Sequence, residues 1–227
     1  LNVCEKMGIP TLLQEQNSYA GVTNKLLAKR ARRICVAYDN MQRFFPADRI
    51  LLTGNPVRQN LLHTKLTPEE ARKSLGLRPD VKTILVIGGS LGARTLNESV
   101  LSERVHLEAH PEVQILWQTG GYYKDAIAER LKTEGQPDNL VVTDFVTDMG
   151  AAYAAADLVI SRAGASSISE LALLGKPSIL VPSPNVAEDH QTHNALALVE
   201  KDAALYVKDS EAYDELMPLA LKTVGDE

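Results

Sequence analysis

Two short segments rich in glycine, alanine and serine carry the residue types that an anion-binding loop needs. The first, Gly88-Gly89-Ser90-Leu91-Gly92-Ala93, directly follows the apolar run Thr83-Ile84-Leu85-Val86-Ile87. Glycines let a backbone turn tightly and approach a ligand closely, and the unpaired amides at the start of a helix favour negative charge. A phosphate is the natural guest; the alternative is a strand-to-helix turn whose glycines serve packing alone. The second, Ser161-Arg162-Ala163-Gly164-Ala165-Ser166-Ser167-Ile168-Ser169-Glu170, follows Leu158-Val159-Ile160 and leads into Leu171-Ala172-Leu173-Leu174-Gly175. A helix starting near Ala165 would turn free amides and serine hydroxyls toward the carboxyl edge of a sheet. Glu170, about one and a half turns in, would offer an acceptor-only carboxylate to a ribose diol. Here the alternative is that Ser166 and Ser167 cap the helix and Glu170 complements its dipole. Jointly the two loops predict a nucleoside diphosphate ligand.

Several other chemistries are excluded. A dinucleotide fingerprint would need glycine where Ser90 and Ala93 stand, and an acidic residue where the next strand ends on Trp117-Gln118-Thr119-Gly120. No Gly-Lys-Ser/Thr follows either loop, which argues against triphosphate hydrolysis. His190 and His193 are spaced as metal ligands or a base could be, but no third ligand stands nearby, and no metal site is expected. Cys4 and Cys35 lie in apolar sequence without CxxC or Cys/His spacing and read as buried thiols of a reducing compartment.

The elements that must position the loops are those of an α/β protein. Strands are expected at Thr83–Ile87, Val113–Trp117, Leu140–Thr143, Leu158–Ile160 and Ser178–Val181, with helices near 91–105, 122–134, 147–156, 165–175, 188–201 and 209–224. Near-continuous apolar strands separated by helices require a doubly wound parallel sheet. Upstream, strands at Thr11–Leu13, Ile34–Ala37 and Ile50–Thr53 with a helix near 20–32 form a second, smaller α/β part, joined to the first by the polar stretch His63–Val81. Within that stretch Thr67-Pro68-Glu69-Glu70 predicts a capping box with proline at the first helical position. The chain has 227 residues, 44% hydrophobic and 23% charged, with a net charge of −5. That is enough to build a core without disulfides, and its mild acidity predicts no nucleic-acid partner. No apolar run approaches the length of a membrane span. The opening Leu1-Asn2-Val3-Cys4-Glu5-Lys6 reads as the end of a helix and suggests a piece of a longer protein.

Gly54-Asn55-Pro56-Val57-Arg58, Gln14-Glu15-Gln16-Asn17-Ser18-Tyr19-Ala20-Gly21, Asp144-Phe145-Val146-Thr147-Asp148-Met149 and Asp189-His190-Gln191-Thr192-His193-Asn194-Ala195 stand in order with the two loops. This series closely resembles the MurG family, the cell-wall glycosyltransferases that move N-acetylglucosamine from its UDP donor to undecaprenyl-diphospho-muramoylpentapeptide. The resemblance implies a two-lobed GT-B fold, with residues 1–57 a remnant of the acceptor-binding N-terminal lobe and 58–227 most of the C-terminal lobe that binds UDP-N-acetylglucosamine. It implies inverting transfer without metal or cofactor, and a general base in the first lobe, outside this chain. The lipid-linked acceptor would be met mostly by that lobe, at the cytoplasmic face of the membrane. The piece at hand would be soluble, bind donor and be inactive alone. Arg58 would reach the diphosphate and Ser90 the phosphate side. The main chain of Val146 would read uracil, Ala165 to Glu170 would surround the nucleotide with Glu170 on the ribose, Gln191 would hold sugar hydroxyls, and Asn17 would line the cleft. Gln14 departs from the family, which often has histidine there. Other readings are a relative of the same fold, such as a UDP-sugar 2-epimerase or a lipid galactosyltransferase, and a non-catalytic nucleotide-binding module.

Overall fold

The computed structural model describes residues 2–62 and 64–225. Strands run at β1 (Leu12–Glu15), β2 (Arg33–Val36), β3 (Ile50–Leu52), β4 (Lys82–Ile87), β5 (Val113–Gln118), β6 (Leu140–Thr143), β7 (Leu158–Ser161), β8 (Ser178–Leu180) and β9 (Leu205–Tyr206). Helices are α1 (Asn2–Lys6), α2 (Val22–Leu27), α3 (Gln59–Leu62), α4 (Pro68–Ser74), α5 (Arg94–Glu103), α6 (Lys124–Glu134), α7 (Met149–Ala155), α8 (Ala165–Leu174), α9 (His190–Val199) and α10 (Ala212–Gly225). β1, β2 and β3 form one sheet in that order, and the remaining strands form a second in the order β6-β5-β4-β7-β8-β9. Every pairing is parallel.

The larger sheet is apolar on both faces. In β4, Ile84 and Val86 join Leu96 and Val100 of α5, Ile127 of α6 and Leu216 of α10. Leu85 and Ile87 point the other way, to Ala152 of α7, Ile168 of α8 and Ala195 of α9. That alternation is the period-2 signature of a strand buried on both sides. The strand order places the switch between β4 and β7: from β4 the chain winds through α5 toward one edge, and from β7 through α8 toward the other. Ligands of this fold class bind in the crevice that such a reversal opens at the carboxyl ends of the strands.

α4 follows its sequence signals closely. Thr67 N–H donates to Glu70 Oε2 at 2.9 Å, and Glu70 N–H donates to Thr67 Oγ1 at 3.2 Å, closing the capping box. Arg72 then donates to the carbonyls of Ala155 and Pro79 and to Asp157 Oδ2, fixing α4 against α7 and the start of β7. Elsewhere the boundaries move. The helix expected near 20–32 shrinks to α2, because Arg49 Nη1 takes the carbonyls of Ala28, Lys29 and Ala31 as the chain turns out of helix. The helix expected from 91 begins at Arg94, after a turn in which Gly92 N–H donates to the Gly89 carbonyl. The helix expected from 188 begins at His190, since Glu188 and Asp189 hold left-handed backbone. β9, only two residues long, has no counterpart in the expected elements. Cys4 and Cys35 are free and half-buried rather than buried. Among the described residues no helix is long and apolar enough to cross a membrane.

The first glycine loop is locked by backbone contact with the turn after β5. Gly92 and Gly120 both have positive φ, and a Cβ on Gly120 would lie 2.1 Å from Gly92 N. Replacing Gly120 by alanine therefore adds a backbone clash to left-handed strain, whereas Gly175, also at positive φ, has nothing within 4 Å of its would-be Cβ. In urea unfolding, Gly175→Ala is expected to cost about 1 kcal/mol and Gly120→Ala at least about 2 kcal/mol; equal losses would remove the locking role.

Candidate functional site

A cavity of about 740 Å³ opens at the carboxyl ends of β4 and β7. Its floor is built from the two loops after those strands. Gln118, at the end of β5, donates Nε2–H to the Gly89 carbonyl at 3.0 Å, and Gly121 N–H donates to the Ser90 carbonyl at 3.1 Å. These bonds hold the loop so that Ser90 stands exposed in the wall. On the other side, Gln191 Oε1 accepts from Ala163 N–H at 3.2 Å and from Ser183 N–H at 2.9 Å. One amide oxygen thus fixes the loops after both β7 and β8. Gln191 Nε2 meets no acceptor among the described residues, which leaves its donors for the cavity.

The helices that start here are uncapped. Gly164 is the N-cap of α8 and Ala93 of α5, and neither end has a side-chain cap. Ser166 and Ser167 lie inside the first turn of α8, so the capping alternative for them does not hold, and both line the cavity. Their helix amides remain available to an acceptor such as phosphate.

Glu170 is nearly buried, 5% exposed, yet reaches the cavity. Its Oε1 stands 3.3 Å from Arg58 Nε, and its Oε2 accepts from the Tyr153 hydroxyl at 3.1 Å. Burial pushes the Tyr153 phenol up, and the Glu170 charge pushes it further, so the hydroxyl stays a donor at neutral pH. Each carboxylate oxygen keeps a lone pair free, and both are oriented by these contacts. The Arg58 side chain is 61% exposed and lines the cavity. Val146 packs its side chain in the core cluster of Leu85 and Tyr153. Its main-chain N–H and C=O have no hydrogen bond among the described residues, and it lines the cavity beside the exposed ring of Phe145.

Arg58, Ser90, Val146, Ser166, Ser167, Glu170 and Gln191 therefore come together around one cavity. Asn17, Ala165, Ile168 and Ser169 lie outside its wall. Ile168 is core. Ser169 Oγ donates to the Ala165 carbonyl and accepts from Asn55 Nδ2. Asn17 donates from N–H and Nδ2 to Glu15 Oε1 and accepts from Asn194 Nδ2, so it belongs to the joint between the small sheet and α9. The histidines belong to that joint too. His193 stacks on Tyr19 with centroids 4.7 Å apart, and His190 Nε2 lies 3.2 Å from Glu188 Oε2. Among the described residues no three His, Cys, Asp or Glu side chains gather as metal ligands. Gln14, where the motif departs from its family, points Nε2 at the Gly54 carbonyl, 3.3 Å away.

Sequence reasoning missed Tyr153, Arg94, Arg162 and Asp209 in this wall. Tyr153 reads as one more apolar residue of an alanine-rich helix. Arg94 and Arg162 adjoin or lie within the two loops, a signal that could have been used. Asp209 has none, since it meets Arg162 across 47 residues.

Residues 83–224 match the glycosyltransferase family 28 C-terminal domain. The chain is similar to a UDP-N-acetylglucosamine--N-acetylmuramyl-(pentapeptide) pyrophosphoryl-undecaprenol N-acetylglucosamine transferase of Bacteroides fragilis, with 62% identity over 226 residues, 100% of this chain and 60% of the relative. The transferase of the same name from Bacteroides thetaiotaomicron is 62% identical over 229 residues, 100% of this chain and 61% of the relative. Among solved structures, that of Acinetobacter baumannii MurG superposes with a TM-score of 0.72 at 31% identity, over 98% of this chain and 61% of the other. The chain thus spans about 60% of the length of the curated relatives it matches. It belongs to the MurG family, within glycosyltransferase family 28.

Proposed function

We propose that this chain is the donor-binding part of an inverting glycosyltransferase of peptidoglycan synthesis, which moves N-acetylglucosamine from UDP-N-acetylglucosamine to undecaprenyl-diphospho-muramoylpentapeptide. The observation that carries the reading is the cavity at the strand-order switch, walled by two small-residue loops, two uncapped helix starts and a buried, oriented carboxylate. The names of the relatives identify their donor and acceptor, and the reading carries both to this chain. In this reading the free N–H and C=O of Val146 match the edge of uracil and Phe145 offers a face for its ring. Both oxygens of Glu170 accept from the ribose diol. Arg58 holds Glu170 through Nε and turns its remaining donors to the diphosphate, with Ser90, Ser166 and Ser167 beside it. Gln191 Nε2 donates to sugar hydroxyls. Residues 1–57 are assigned to the acceptor-binding lobe and 58–227 to the donor-binding lobe.

The acceptor hydroxyl attacks the anomeric carbon on the face opposite UDP. The new C–O bond forms as the bond to the β-phosphate oxygen breaks, the electron pair leaves with UDP, and the hydroxyl proton passes to a general base in the other lobe. UDP departs as an anion, so fixed amides and a permanent cation stabilise it without a proton donor. The lipid-linked acceptor places the whole protein at the membrane surface as a peripheral protein.

Calorimetry tests the base assignment. UDP is expected to bind at least about tenfold more tightly than ADP, since the N1/N6 edge of the larger purine, carried on the same ribose and diphosphate, does not meet the N–H and C=O of Val146 in the place of the uracil edge. Equal affinities would remove the uracil site, and disaccharide formation by this chain alone would remove the two-lobe division of labour. Glu170→Ala is expected to weaken UDP by about 10- to 100-fold through the loss of charge-assisted bonds, and to weaken 2′,3′-dideoxy-UDP much less. Loss of the same size for both nucleotides would take Glu170 off the ribose.

A further inference from the structure

Five charged side chains line the cavity: Arg58, Arg94, Arg162, Glu170 and Asp209. Glu170 pairs with Arg58 and Asp209 with Arg162, so those charges cancel two by two. Arg94 has no acidic partner among the described residues. The surplus positive charge of the wall is therefore its own.

The position of that charge is unfavourable without a ligand. Arg94 is the first residue of α5, and the first turn of this helix holds no acidic residue. A cation there faces the like-signed end of the helix dipole, typically at a cost of about 0.3–1 kcal/mol. α4 has the opposite arrangement, with Glu69 and Glu70 in its first turn and Arg72 and Lys73 in its last. An anion joining Arg94 and the free amides would reverse the sign of the interaction.

The backbone under Arg94 is held in place by its neighbour. Thr95 Oγ1 donates to Asp209 Oδ2 at 3.0 Å, while Asp209 Oδ1 takes Arg162. Arg162 Nη1 also donates to the carbonyls of Val181 and Pro182 at 3.1 and 3.2 Å. Asp209 thus ties the start of α5 to the segments that leave β7 and β8, and the first turn of α5 is fixed on the cavity wall.

We propose that Arg94 is a second diphosphate-binding cation, gripping phosphate oxygens of the donor nucleotide together with the amides that open α5. The proposal rests on the donor-binding reading and adds a residue to it. Arg58 is already half-committed to Glu170, so one more cation is needed as charge grows on the departing phosphate. A guanidinium fork can meet two phosphate oxygens at once.

The test is Arg94→Gln, with Arg94→Lys beside it, measured by calorimetry against UDP and uridine and by thermal unfolding without ligand. Arg94→Gln is expected to lose about 10- to 100-fold in UDP affinity, to leave uridine affinity within about twofold, and to melt no lower than the parent chain. Arg94→Lys should recover part of the UDP loss. UDP affinity unchanged in Arg94→Gln, or equal losses for UDP and uridine, would overturn the proposal while leaving the donor-binding reading intact. A parent chain that binds neither ligand would sink that reading, and this proposal with it.

Discussion

β4 has a strand on each side and apolar side chains on both faces, and the cavity follows from that position. Its outer neighbours are reached in opposite directions, β5 through α5 and β7 only after the chain has returned from β6. α5 packs on the face of Ile84 and Val86, and α8 on the face of Leu85 and Ile87. The connections after β4 and β7 must therefore part above the sheet, one to each face, and the space between them cannot be filled by either helix. Small residues are needed where the chain turns off the sheet and immediately starts a helix. The same residues leave amides uncovered, so packing and anion binding ask for the same loop composition.

α9 connects this space to the rest of the molecule. Gln191 and Asn194 are three residues apart and so share a face of the helix. Gln191 accepts two amides from the cavity loops. Asn194, fully buried, accepts Ser18 N–H at 2.8 Å and donates to Asn17 Oδ1 at 2.9 Å. Glu15 completes the joint: its buried carboxylate takes N–H and Nδ2 of Asn17, Gly21 N–H and Nδ2 of Asn24. A buried carboxylate with this many donors needs no counter-ion. A shift of the small sheet relative to the larger one would thus be felt by a helix that also holds the loops around the ligand space.

What was legible in the sequence was whatever depended on neighbours in the chain. β4, β5 and β7 announce themselves by β-branched apolar runs, and α4 by Thr67, Pro68 and Glu70. The loops at Gly88 and Gly164 could be placed because strand, turn and helix follow one another directly. What could not be read depends on partners far along the chain. The Arg58–Glu170 pair joins residues on different elements, and nothing local says that Tyr153 will hold the same carboxylate. Asn17 resembles a cleft residue by its motif, yet the burial of Asn194 draws it into the joint. β9 gains its two-residue pairing only from the exposed edge of β8.

The uncapped helix starts are not forced by backbone shape. Gly164 sits at φ −68° and ψ 147° in ordinary extended backbone, and a Cβ there would meet nothing within 4 Å. Ala93 is also extended, at φ −132° and ψ 115°. Serine would fit at Gly164 and would add roughly a few tenths of a kcal/mol as a cap, whereas the Ala93 methyl is buried in the core cluster of Ile84 and Leu96. Side-chain caps stand at α4, from Thr67, and at α7, from Asp148, while α2 and α6 also start without one. At α5 and α8 a serine oxygen would occupy the very amides that a phosphate needs. Stability lost at these two ends, together with the misplaced charge of Arg94, borders one cavity. Two uncapped helix starts and one charge at the like-signed end of a helix thus meet around the same cavity, and one anionic ligand would relieve all three.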